Sequence, residues 1–122
     1  LPIYLTVSVC DSVGKKAAAL QDIVSSLGLA VQVYGKRVQD VLPQQRIQIV
    51  TARAVGAIDK LLPWFDSLWS QGAEVLLIKG PRWQEELAEA QQSGTARGRR
   101  VERIASWHTA GRDGESVLLR IR

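Results

Sequence analysis

Four places in this 122-residue chain carry side chains suited to holding a polar ligand. They are Asp11 in "VCDS", the segment "KRVQD" from Lys36 to Asp40, Arg53 in "TARAV", and Lys79 in "LIKG". A carboxylate such as Asp11 can accept two hydrogen bonds at once, the arrangement that paired ribose hydroxyls require. It can also cap a following helix, and one carboxylate can do both. Arg53 is a permanent cation whose planar fork suits a carboxylate or a phosphate. Lys79 is a compact point charge, suited either to an anionic substrate or to snorkelling from a strand end.

Other chemistry is poorly represented. His108, the only histidine, stands without a carboxylate or cysteine cluster, so it reads as solvent-facing rather than catalytic or metal-ligating. No metal-ligand spacing and no nucleophile-base pair occurs elsewhere. Cys10, the lone cysteine, cannot form an internal disulfide and lies in an alternating apolar run where a small buried thiol is expected. Trp64, Trp69, Trp83 and Trp107 read as core or groove lining rather than as a stacking platform for bases.

The elements that must position these residues follow from patterning. "YLTVSVCD" has strand composition and leads to Asp11 and Ser12, both good N-caps. Ala17, Leu20, Ile23, Val24 and Leu27 then recur at helical spacing, and Gly28 marks the stop. "AVQVYG" and "IQIVTA" are further strands, separated by a connection containing Pro43. A helical stripe runs from Ile58 to Trp69, with Pro63 either kinking it or starting a new helix. "AEVLLIKG" is a continuous apolar run of the kind expected when helices cover both faces of a parallel sheet. Glu85–Gln92 reads as helix, and Val101–Trp107 with Ser116–Ile121 as an antiparallel pair around "TAGRDGE". The order βα-β-(α)-βα-βα-ββ predicts an α/β fold, a mostly parallel sheet with a terminal antiparallel hairpin. In open α/β sheets ligands bind beyond the carboxyl ends of the strands, which places all four polar groups on one predicted rim.

Composition suits a single globular domain over residues 1–122, being 46% hydrophobic and 23% charged. No apolar run approaches the roughly 18 residues of a membrane span, and nothing near Leu1 resembles a signal sequence, so a cytoplasmic location is expected; the expected assembly is a monomer. The net charge of +4 and pI of about 9.6 mildly favour a polyanionic partner. Arginines crowd the last quarter, and "GTARGRR" reads equally as a solvated loop or as a phosphate-contacting segment. The chain has no methionine and enters an apolar alternation almost at once, which reads as a piece of something longer.

The segments "VCDSVGKKAAAL", "GKRVQD", "IVTARAVGAIDKLLPW", "GAEVLLIKG" and "EELAEA" together resemble the RsmG (GidB) family of small-subunit ribosomal RNA guanine-N7 methyltransferases. The similarity runs from about Leu5 to the end and is most specific in "TARAV" and its spacing to "IKG". It implies a Rossmann-like class I fold, S-adenosylmethionine as cofactor, and 16S ribosomal RNA or the small ribosomal subunit as partner. The implied cofactor-binding residues are Asp11, Val38, Gln39 and Arg53; Arg53 and Lys79 are the implied substrate contacts. Gln39 departs from the family's glutamate, keeping an acceptor oxygen but losing the charge.

Transfer to guanine N7 needs in-line geometry more than a base, so no catalytic side chain is expected. In the family a glycine-rich strand-loop precedes the strand carrying Asp11, and its strand lies between those carrying Asp11 and Arg53. No "GxGxG" precedes Asp11 here, so these residues read as the carboxyl-terminal two thirds of a methyltransferase domain, incomplete at the amino terminus. The alternative of a different class is a catalytically inactive remnant that binds RNA or the ribosome.

Overall fold

A computed structural model of the chain describes residues 5–53 and 56–122. They fall into two compact units, Leu1–Gln45 and Arg46–Arg122.

In the first unit, strand β1 (Val7–Cys10) is followed by helix α1 (Gly14–Ser26), strand β2 (Val31–Tyr34) and the single-turn helix α2 (Val38–Val41). β1 and β2 pair in parallel, with Cys10 opposite Tyr34. Helix α1 buries Ala17 and Val24, two turns apart on one stripe. Ala17 is small where it must be, because a Cβ placed on Gly35 just beyond β2 would stand 3.3 Å from its Cβ. The helix stops where the sequence predicts. Gly28 takes φ 63°, the Leu29 N–H donates to the Val24 carbonyl at 3.0 Å and the Gly28 N–H to Ser25 at 3.2 Å, which together satisfy two terminal carbonyls. Its start is later than expected, since Val13 rather than Asp11 or Ser12 occupies the capping position.

The second unit is built on a four-stranded sheet in the order β3-β4-β6-β5, where β3 is Ile49–Arg53, β4 Glu74–Lys79, β5 Val101–His108 and β6 Glu115–Ile121. Only β3 and β4 are parallel in it; β6 runs antiparallel to both β4 and β5. The expectation of a mostly parallel sheet is therefore corrected to a mixed one. The hairpin carries this change, because β6 inserts between β4 and β5 and brings two antiparallel pairings with it.

Burial on β4 also differs from the expectation of two covered faces. Val75, Leu77 and Lys79 are buried while Glu74, Leu76 and Ile78 are partly open. Val117, Leu119 and Ile121 of β6 share the buried side. Against it lie the apolar residues of the short helices α3 (Ile58–Leu61) and α4 (Asp66–Trp69) and of helix α5 (Trp83–Ser93). Ile58, Leu61, Leu62, Phe65, Leu68 and Ala90 are the core positions contributed from this layer. Pro63 resolves the ambiguity of the helical stripe, because a 3-10 turn at Leu62–Phe65 separates α3 from α4. Pro43 sits in a similar turn after α2.

Gly114, near the start of β6, has φ 81°, and a Cβ there would lie 2.8 Å from the Pro81 side chain. Gly114→Ala is expected to destabilise the protein by about 2 kcal/mol, combining the left-handed penalty with overpacking. A chemical-denaturation midpoint unchanged from wild type would refute this reading of the hairpin turn.

Candidate functional site

Asp11 leaves β1 with its backbone still in the ladder, its N–H donating to the Tyr34 carbonyl at 3.0 Å. Its Oδ1 accepts the Val13 N–H at 2.8 Å, a two-residue turn that leads the chain into α1. The second carboxylate oxygen has no partner among the described residues, so the local structural role leaves acceptor capacity over. Beside it, the Cys10 thiol donates to the Lys36 carbonyl at 2.9 Å. Burial, aided by the Asp11 charge, pushes the thiol above its ordinary pKa, which keeps it protonated as that donor. Cys10 is half-buried, less enclosed than its apolar surroundings in sequence predict.

Val38 and Gln39 open α2, both half-buried, directly after the exposed Lys36 and Arg37. Parallel pairing puts the carboxyl ends of β1 and β2 side by side. The first unit thus brings Asp11 and the Val38–Gln39 turn onto one rim, joined by the bond from Cys10 to Lys36.

Arg53 and Lys79 occupy the corresponding ends in the second unit, with Arg53 opposite Ile78. Arg53 is exposed and has no hydrogen bond or ion pair among the described residues. It borders an open depression of about 430 Å³ lined also by Thr51, Ala52, Leu76, Ile78 and Leu118. The depression is mostly apolar, with the Arg53 guanidinium at its edge.

Lys79 is placed differently. Its side chain is 5% exposed, and its ammonium lies 2.7 Å from the Gly56 carbonyl oxygen and 2.7 Å from Glu86 Oε1. The same Glu86 oxygen accepts the Ile58 N–H at 3.2 Å. Lys79 therefore ties the start of α5 to the segment that follows β3, and its charge is already balanced inside the protein. The sequence contained the partner seven residues on, among the acids Glu85, Glu86 and Glu89, but nothing in the spacing distinguished Glu86 from its solvated neighbours.

A second charged group escaped the sequence reading altogether. Glu102 accepts bonds or ion pairs from Arg100 at 2.7 Å, Arg120 at 3.0 Å and Arg122 at 3.2 Å. Burial alone would raise its pKa; the hydrogen bond from Arg120 and the charges of Arg100, Arg120 and Arg122 outweigh burial and hold it below the usual 4.5. A depressed carboxylate of this kind contributes stability above its unfolded pKa and loses it as pH falls through the lower folded value. His108 is exposed, and among the described residues no group of three or more His, Cys, Asp or Glu side chains is arranged to hold a metal ion. No helix of the described residues is long and apolar enough to cross a membrane.

The family model of GidB, the rRNA small subunit methyltransferase G, matches residues 3–115. The chain belongs to this family. Among similar proteins, the ribosomal RNA small subunit methyltransferase G of Rhodopirellula baltica is 38% identical over 103 residues, covering 84% of this chain and 45% of the relative. That of Solibacter usitatus is 33% identical over 113 residues, covering 92% and 54%, and that of Lactobacillus johnsonii 29% over 120 residues, covering 94% and 50%. The chain spans about half the length of these relatives. In this member of the GidB family, each unit therefore presents its predicted polar residues at the carboxyl ends of a parallel strand pair, with Lys79 drawn inward.

Proposed function

We propose that the protein acts in transferring a methyl group from S-adenosylmethionine to N7 of a guanine in small-subunit ribosomal RNA, within a Rossmann-like class I methyltransferase domain to which both units belong. Family membership over most of the chain is the observation that carries this reading. The residues present suit the cofactor: Asp11 keeps an acceptor oxygen for the ribose hydroxyls, and Gln39, in the turn that opens α2, offers an amide for the adenine edge. Val38, in the same turn, contributes an apolar flank and backbone. Arg53 takes an anionic group, either the methionyl carboxylate or an RNA phosphate. Lys79 serves the substrate through the chain segment it anchors at Gly56, three residues beyond Arg53.

Bound S-adenosylmethionine supplies an electrophilic methyl group. Guanine N7 carries an available lone pair, so these binding residues have to orient, exclude water and balance charge, and none has to remove a proton. The test is to incubate the protein with methyl-labelled S-adenosylmethionine and small ribosomal subunits and map the product by cleavage at N7-methylguanine. Label on one guanine N7 is expected; label on another atom, or on protein alone, would contradict the proposal.

A further inference from the structure

We propose that the arginines gathered around Glu102 form a phosphate-binding patch for RNA, separate from Arg53. This deepens the RNA reading above and rests on it. The arginine-rich "GTARGRR" segment from Gly94 to Arg100 has no part in the candidate cofactor rim. It ends by pairing with the chain's last residue: the Arg100 N–H donates to the Arg122 carbonyl at 2.8 Å and the Arg122 N–H to Arg100 at 3.1 Å. That pairing sets Arg100 and Arg122 side by side, with Arg120 two residues back on the same strand face.

Three guanidiniums share one carboxylate, so the cluster keeps an excess of positive charge. Each guanidinium has five N–H donors, and Glu102 has only two oxygens to engage them. Arg100 is 70% and Arg122 40% exposed, so the remaining donors of these two reach solvent. Nε of Arg120 is buried without a partner, further sign that the cluster has more donors than the protein has acceptors for. Arg99 lies over the Trp69 ring at 4.6 Å and Arg97 is exposed, which extends the cationic surface back along the loop.

The patch lies at the far end of the sheet. Ile121 pairs with Val75, so Arg122 is level with Glu74 at the start of β4, whereas Arg53 is level with Ile78 near its end. At about 3.3 Å per residue the two levels stand roughly 13 Å apart along the strands. A nucleic-acid backbone, with its regularly repeated phosphates, fits surplus fork donors of this kind better than a single small anion does, and Arg can engage phosphate in bidentate fashion.

The test is fluorescence anisotropy of a labelled ribosomal RNA stem-loop with the chain, from about 50 to 200 mM salt. Arg100→Gln combined with Arg122→Gln is expected to weaken binding about tenfold at low salt and to reduce the slope of log K against log salt by about 1 to 2. Glu102→Gln, which removes the competing carboxylate, is expected to tighten RNA binding, an effect that a purely structural ion cluster would not give. S-adenosylhomocysteine binding should be unchanged in all variants. If the double variant fails to fold, Arg97→Gln, exposed and outside the ion cluster, should still lower the slope by about 1. Folded variants with wild-type affinity and slope would overturn the patch alone. A wild-type chain that ignores the stem-loop would overturn the RNA reading and the patch together.

Discussion

Glu86→Ala is expected to destabilise the protein by about 3 kcal/mol, the low end for breaking a buried pair because Glu86 is itself 20% exposed. The cost lies in what is left behind. Lys79 is 5% exposed and would keep its ammonium in the core with the Gly56 carbonyl as its remaining partner. The Ile58 N–H would lose its acceptor as well, at the start of a helix whose Ile58 side chain is fully buried. The converse change is expected to be milder. Lys79→Met fills the space with an apolar stem of similar length, and Glu86 can rehydrate while keeping the Ile58 bond, so a loss of about 1 kcal/mol is expected. Urea denaturation of both variants measures this asymmetry. Equal losses, or a larger loss for Lys79→Met, would mean that the ion pair does not organise the segment after β3.

Asp11→Asn is expected to leave stability nearly unchanged and to weaken cofactor binding by roughly ten- to a hundredfold. Asparagine retains an oxygen for the Val13 N–H, so the turn into α1 survives. What disappears is the charge, and a hydrogen bond to a charged group contributes about 1.5 to 3 kcal/mol. Asp11→Ala removes both functions and, by losing the hydrogen bond from the Val13 N–H, should lower stability by about 1 kcal/mol in addition. Calorimetric titration with S-adenosylhomocysteine, beside a denaturation curve for each variant, separates the two roles. Unaltered affinity in Asp11→Asn would leave Asp11 as a turn-forming residue only.

The parts of the fold that were legible in sequence are those set by local rules. Alternation and apolar content marked β1 to β4 and the hairpin, and Gly28 ended α1 because its left-handed conformation completes a carbonyl-satisfying turn. Sheet direction was harder to read. The apolar run of β4 predicted a parallel environment covered on both faces, but its neighbour on one side is antiparallel β6 and only alternate residues are buried. Nothing in the run itself encodes which strand pairs with it.

Site residues divide in the same way. The positions of Asp11, directly after β1, and Arg53, the last residue of β3, were predictable because a polar group at a strand end lies on a rim whatever the tertiary details. The fate of Lys79 depends on a helix that returns to it, and the cluster at Glu102 depends on the register that sets Arg100 opposite Arg122. Both are products of tertiary pairing, so residue spacing carried no signal for them.

The most direct measurement is a titration of S-adenosylhomocysteine into the folded wild-type chain and into Arg53→Ala. A cofactor site that includes Arg53 gives saturable binding by the wild type, weakened about tenfold or more in Arg53→Ala as the charged hydrogen bond to the methionyl carboxylate is lost. No binding by a folded wild-type sample would contradict it, and would leave RNA binding without methyl transfer as the better description of what these residues do.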